Sequence, residues 1–218
     1  MARGTDFGGI HSHRDLNLIQ QSVAEMPAEP KLNLIDVPGA DGSKDKSELP
    51  GGRLFYNDRT VSWTFALYPG ENWDAKHRQV SNALNGKRCR ITLDTNPDYY
   101  YQGRVVVKTY TLDRALRQIT IEATCSPYLL KQYPTVIEKN LTTSYLEINL
   151  PNEKKLAVPT IEVSAATTIR WNGLTADLSA GSTFTSLDVE LQEGDNVLEA
   201  KVASGTGTIT ITYQEGSL

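Results

Sequence analysis

Cysteine, histidine and methionine are scarce: 218 residues contain two Cys, three His and two Met. So small a supply leaves room for one disulfide at most, which nothing in the sequence supports, and no CxxC or Cys/His spacing suggests zinc. Cys89 and Cys125 both fall at inward positions of expected strands, which favours buried free thiols. No apolar run approaches the roughly 20 residues that span a bilayer, so no membrane insertion is expected. The opening "MARGTDFGGIHSHRDL" has no continuous apolar stretch of the kind a secretory signal carries, which predicts synthesis in the cytoplasm. A basic surplus is also missing. Residues 1–128 hold 16 Lys/Arg against 15 Asp/Glu, and residues 129–218 hold 6 against 11. Neither half looks like a protein that neutralises phosphates.

What is present is period-two alternation. In "RTVSWTFALYP", Val61, Trp63, Phe65 and Leu67 alternate with Ser62, Thr64 and Ala66, one buried face of a strand. "RCRITL" repeats this through Cys89, Ile91 and Leu93, and "RQITIEATC" through Ile119, Ile121, Ala123 and Cys125. "GRVVVKTYTLD" is expected to form a hairpin with the latter, turning at Asp113–Leu116. One helix stands out. Trp73, His77, Val80 and Leu84 in "NWDAKHRQVSNALNG" share a face, with Asn72 as cap and Gly86 as the left-handed residue after its end.

The Pro-bounded "SPYLLKQYP" divides this half from one with no helix signal. There, strands are expected around Thr135–Leu141, Tyr145–Leu150, Pro159–Ser164, Thr168–Trp171, Leu187–Leu191, Val197–Ala203 and Thr208–Tyr213. Asn172–Gly173 suits a two-residue hairpin turn, and many short strands with spaced turns predict a β-sandwich. The expectation is therefore a mainly β chain of two domains. Residues 1–128 form an antiparallel β domain with one packed helix, and residues 129–218 a sandwich.

Chemistry is hard to find. His11, His13 and Asp15 of "HSHRD" would share one face of an extended strand and could make a metal triad, but a solvated strand is the better reading. Tyr99–Tyr101 cannot form one stacking platform, because consecutive strand residues face opposite ways. Trp171, beside the hairpin turn, is a better candidate for stacking on a sugar, although a core or turn-packing role is the more common one for such a residue. No nucleophile elbow or spaced acid pair occurs, so no catalytic residue, cofactor or metal is assigned and no enzyme is expected.

One feature asks for a function. "LIDVPGADGSKDKSELPGG", Leu34 to Gly52, starts as a strand and then becomes polar and glycine-rich over a length that is uncommon for a structureless loop. The succession "DFGGIHSHRDLNL", "IDVPGADG", "VSWTFALYPG", "ALNGKRCRITLDTNPDYYYQGRV" and "ITIEATCSPYL" resembles the N-terminal domain of the distal tail protein (Dit) family of long-tailed, non-contractile bacteriophages and prophages. It covers about residues 1–130. The second half is similar to the galectin-like β-sandwich that follows in that family. The resemblance implies a structural protein of the virion tail tip: a hexameric ring at the distal end of the tail, contacting the tail tube protein and the receptor-binding or adhesion proteins. DNA would pass through its channel without sequence-specific binding. It further implies that the polar stretch is an arm at the subunit interface, with Pro38, Gly39, Asp41, Gly42, Lys44 and Lys46 as its contact residues, poorly ordered alone and fixed by neighbours. The alternative is a carbohydrate-binding module that attaches to a surface glycan through Trp171.

Overall fold

The computed structural model describes residues 4–49, 51–108 and 117–218. It divides into two compact units, Met1–Leu129 and Leu130–Leu218. The fold is mainly β with one helix, built from antiparallel sheets.

The first unit contains β1 (Thr5–Phe7), β2 (Leu18–Glu25), β3 (Leu34–Asp36), β4 (Ser43–Asp45), β5 (Arg59–Leu67), α1 (Trp73–Leu84), β6 (Arg88–Leu93), β7 (Asn96–Val107) and β8 (Gln118–Cys125). Six of these strands lie in the order β1-β6-β7-β8-β5-β2, all antiparallel. The alternation read in β5 is realised residue by residue. Val61, Trp63, Phe65 and Leu67 are buried, while Thr60, Ser62, Thr64 and Ala66 are half-exposed on the other face. Val80 and Leu84 of α1 join Val61, Trp63, Phe65, Ile91, Val105, Ile119 and Ile121 in one core, so the helix covers the apolar face. Asn72 caps α1 by accepting the Ala75 N–H at 3.0 Å. Trp73 and His77, expected on the buried face, are only half-buried and stack on each other with centroids 5.0 Å apart. The expected turn at Asp113–Leu116 lies outside the described residues.

Cys89 and Cys125 are free. Both flank Gly103 in register across β6, β7 and β8. Two strand spacings, about 9.6 Å, exceed the roughly 7 Å a disulfide can bridge. A Cβ at position 103 would sit 2.5 Å from the Cys125 sulfur and 2.7 Å from the Thr124 carbonyl, so the close packing of these strands requires glycine there. Burial pushes the Cys125 thiol up to about 12, so it stays protonated and inert at neutral pH.

In the second unit follow β9 (Leu129–Lys131), β10 (Thr135–Leu141), β11 (Leu146–Asn152), β12 (Thr160–Val163), β13 (Thr167–Trp171), β14 (Leu174–Leu178), β15 (Thr183–Phe184), β16 (Gly194–Val202), β17 (Gly207–Tyr213) and β18 (Gly216–Ser217), where β9 starts one residue before the boundary. Two four-stranded sheets, β10-β17-β12-β15 and β11-β16-β13-β14, enclose a core that includes Leu141, Ile148, Leu150, Ile161, Leu198 and Ile211. Asn172 and Gly173 both have positive φ (43° and 85°), making the tight turn their sequence favours. The segment Leu187–Leu191, expected as a strand, is not one. Val189 and Leu191 are fully buried, but the backbone makes only an isolated bridge, Ala157 to Leu191. The alternation there reports core contact without a ladder.

Because Leu84 is fully buried, Leu84→Ala is expected to destabilise the first unit by about 3 kcal/mol. Trp73→Ala, at a half-buried site, should cost clearly less. Denaturant unfolding of both variants checks the order.

Candidate subunit-interface arm

Between the end of β2 and the start of β5 the chain leaves the sheet and returns. The outgoing and returning segments are joined by backbone hydrogen bonds at their base and again further out. Asn57 donates to the Glu29 carbonyl at 2.8 Å, Lys31 to Phe55 at 2.7 Å, and Lys46 to Asn33 at 2.8 Å. Pro30 bridges Tyr56. Further out, Leu34, Ile35 and Asp36 of β3 pair with Asp45, Lys44 and Ser43 of β4. The stretch expected to be poorly ordered alone is thus a β-hairpin carrying its own hydrogen bonds.

Pro38, Gly39, Asp41 and Gly42 form its turn. Gly39 and Gly42 have φ of 82° and 72°, which explains glycine at both places. Lys44 lies in β4 and Lys46 just beyond it. Except for Val37, which is half-exposed, residues 36–46 are exposed, and this ladder pairs with no strand other than its own two. Ser47 is the buried joint: its hydroxyl accepts the Asn33 N–H at 2.8 Å and donates to Asp45. That hydroxyl, and then the Ser47 N–H, hold the Asp45 carboxyl below the usual carboxylate range.

Sequence reasoning centred the arm on its polar turn and missed its apolar side chains. Met26, Leu32, Leu34, Ile35, Leu49 and Phe55 are all exposed, Leu49 to 69% and Met26 to 68%. Leu32 and Leu34 share one face of the outgoing strand. The alternation L-x-L was the signal, and it was too short to stand out from a polar context. Exposed apolar side chains on a strand pair with unpaired edges mark a surface made to be covered.

At its base the arm is held by a polar knot. Arg59, first residue of β5, is 3% exposed, and its Nη1 donates to Glu25, last residue of β2, at 2.5 Å. The other Glu25 oxygen accepts the Tyr101 hydroxyl at 2.8 Å. Burial, and then the Glu25 hydrogen bond, raise the Tyr101 pKa far above its ordinary 10.0. Three strands, β2, β5 and β7, are tied together where the arm begins and ends.

The other candidates fare differently. His11, His13 and Asp15 lie in a turn, not on an extended face. His11 is 4% exposed; its Nδ1 accepts the N–H groups of His13 and Arg14, both at 3.2 Å. Its Nε2 therefore carries the proton, aimed at the Asp94 carboxylate at 3.2 Å. Asp15 accepts the His11 N–H at 2.6 Å. The cluster folds the segment before β2, and both ring nitrogens of His11 are already used. Among the described residues no group of three or more His, Cys, Asp and Glu is placed to hold a metal, and no helix is long and apolar enough to cross a membrane. Trp171 is 4% exposed within the sandwich core, the commoner of the two roles expected for it, which leaves little of its ring for stacking on a sugar. Tyr100 and Tyr101 are both buried, on opposite faces of β7.

No protein-family model matches the sequence, and no curated protein matches it. Among solved structures, the crystal structure of the SPP1 Dit (gp 19.1) protein is similar over 100% of both chains, with a TM-score of 0.68 and 14% identity. That protein is described as a paradigm of the hub adsorption apparatus in phages that infect Gram-positive bacteria. At this identity the likeness is one of fold: the chain has a Dit-like fold. The Clostridium difficile EutQ protein matches 55% of this chain and 71% of its own at 15% identity, with a TM-score of 0.25 that carries no argument.

Two outcomes follow from the knot. Glu25→Ala strands a buried guanidinium and a buried hydroxyl, and is expected to destabilise by about 3 kcal/mol. Since the folded pKa of Tyr101 is raised, its contribution is full below pH 10.0 and is lost as pH rises through the folded value. Stability measured between pH 9 and 11 should fall, and Tyr101→Phe should remove that part of the fall. An unchanged fall in the Phe variant would place the titrating group elsewhere.

Proposed function

We propose that this chain is a structural subunit of a phage tail tip. Copies close into a hexameric ring that continues the tail tube, leaves a channel for DNA, and serves as a hub for adhesion proteins. The observation that carries this reading is the arm: a self-paired hairpin, anchored by an ion pair to the buried Arg59, that presents apolar side chains away from its own core. The Dit-like fold supports it, because the similar structure is a phage adsorption-hub protein. An arm that pairs or packs across a subunit boundary works through main-chain hydrogen bonds and apolar burial. Repetition of one head-to-tail contact with a closing rotation yields a ring. Pro38, Gly39, Asp41, Gly42, Lys44 and Lys46 place its turn against the neighbour, with Leu32, Leu34 and Ile35 supplying the buried area. The glycan-binding alternative rests on Trp171, a side chain almost wholly buried in the sandwich core.

Replacing residues 34–45 with a two-residue turn tests the arm. Circular dichroism should be nearly unchanged, since none of these residues belongs to the core, while light scattering should show monomers in place of rings. Rings of normal mass would make the hairpin a passive surface element, and a collapsed fold would make it part of the core.

A further inference from the structure

The nearly even charge balance of the first half conceals a local concentration of cations. On the sheet face away from α1, Arg88, Arg104 and Thr124 stand in one row across β6, β7 and β8. The next residues along the strands, Val105 and Cys125, point the other way into the core. Gln102 and Ser126 extend the patch by a second row, where the Ser126 N–H donates to the Gln102 carbonyl at 3.0 Å. These five side chains line a groove of about 400 Å³, and Asp58 is the one carboxylate among its described lining residues.

The two arginines are placed at a cost. Residues directly opposite on antiparallel strands have Cβ atoms about 5 Å apart, and like charges there are destabilising. Nearby cations have partners: Lys108 pairs with Glu122 at 3.0 Å and Arg90 lies over the Tyr100 ring at 4.7 Å, whereas among the described residues neither Arg88 nor Arg104 has a carboxylate within ion-pair distance. One Arg104 Nη donates to the Gly86 carbonyl at 2.6 Å, which orients the guanidinium and leaves its other donors for a ligand. Arg88, Arg104 and Thr124 are all exposed, so a solute reaches them without any movement of the fold.

We infer that this groove is a binding site for a phosphoryl oxyanion, held between the Arg88 and Arg104 guanidiniums with the Thr124 and Ser126 hydroxyls and the Gln102 amide as further donors. Guanidinium forks match the oxygens of a phosphoryl group, and charge-assisted hydrogen bonds of this kind are the strong ones. A bound dianion also cancels the repulsion that the ligand-free row leaves standing. Donors that come from both rows of the patch suit a tetrahedral group with charge on several oxygens better than a planar carboxylate. Asp58 opposes the anion from one wall and sets a limit on affinity. The shared chemistry is the phosphoryl group, whether as free phosphate or within the backbone of a nucleic acid. The site goes beyond the ring reading and does not depend on it.

The test is titration calorimetry of the full-length chain with inorganic phosphate, and with acetate and chloride at matched ionic strength. Phosphate should bind, acetate more weakly and chloride not measurably. A response to phosphate no greater than to acetate would overturn the assignment. Arg88→Gln and Arg104→Gln should each weaken phosphate binding by about tenfold or more, the effect of losing a hydrogen bond to a charged group. Binding that survives in the double Gln variant would place the anion elsewhere and overturn the site. Arg88→Lys with Arg104→Lys keeps the charge but removes the forks, so it should also bind clearly less; undiminished affinity would reduce the site to diffuse charge and contradict it. Without ligand, the double Gln variant should melt at a higher temperature than the wild type, since the repulsion is gone. A lower melting temperature would make the arginines structural and count against a ligand site. A short single-stranded oligodeoxynucleotide separates the sources. If it competes with phosphate for the groove, the group is a backbone phosphodiester; if phosphate binds and the oligonucleotide does not compete, it is a free phosphate, and either result upholds the site.

Discussion

The Arg59–Glu25 ion pair is the constraint on which the arm depends. It joins the last residue of β2 to the first of β5, so the 33 residues between them leave and re-enter the sheet at one fixed point. A buried guanidinium is costly to desolvate and becomes tolerable only with a well-placed partner. Glu25 supplies it, and the Tyr101 hydroxyl uses the second carboxylate oxygen, which ties β7 into the same point. Without this knot the hairpin would be joined to the sheet by the Met26–Thr60 and neighbouring backbone bonds alone. With it, apolar side chains such as Leu32 and Leu34 are held out from the body at a definite place.

That arrangement makes sense of an otherwise wasteful design. A monomer gains nothing from exposing Met26, Leu32, Leu34, Ile35, Leu49 and Phe55 on one excursion. Such a surface is a liability for aggregation unless another copy covers it. The proposed ring covers it. The face of the sheet away from α1 offers Thr60, Ser62, Thr64 and Ala66, small and mostly hydroxyl-bearing side chains with no charge among them.

Much of the fold was legible because one face of most strands is buried. Val61 through Leu67 and Ile119 through Cys125 alternate cleanly, and α1 announced itself through Asn72, Val80 and Leu84. The reading went wrong where burial and backbone pairing part company. Leu187–Leu191 alternates without being a strand, whereas β14, whose Leu174, Ala176 and Leu178 alternate just after the Asn172–Gly173 turn, was missed as that turn's second strand, and β15 has only two residues. The arm was legible as an anomaly of composition but not as a hairpin, since its pairing involves Asp45, Lys44 and Ser43, residues that seldom signal strands. Its anchor was invisible for a different reason. Glu25, Arg59 and Tyr101 are far apart in sequence, and only the sheet order brings them within hydrogen-bond reach. Trp171 took the commoner of its two expected roles, because the pleat turns it inward to the sandwich core.

Native mass spectrometry of the unaltered chain tests the central claim most directly, because it needs no substitution and no assumption about which contacts matter. The account predicts a dominant species of about six times 24.1 kDa at micromolar concentration and neutral pH, with few intermediate masses, as expected of a contact that closes. A spectrum showing only monomer across that range, or an open ladder of masses with no preferred size, would contradict it.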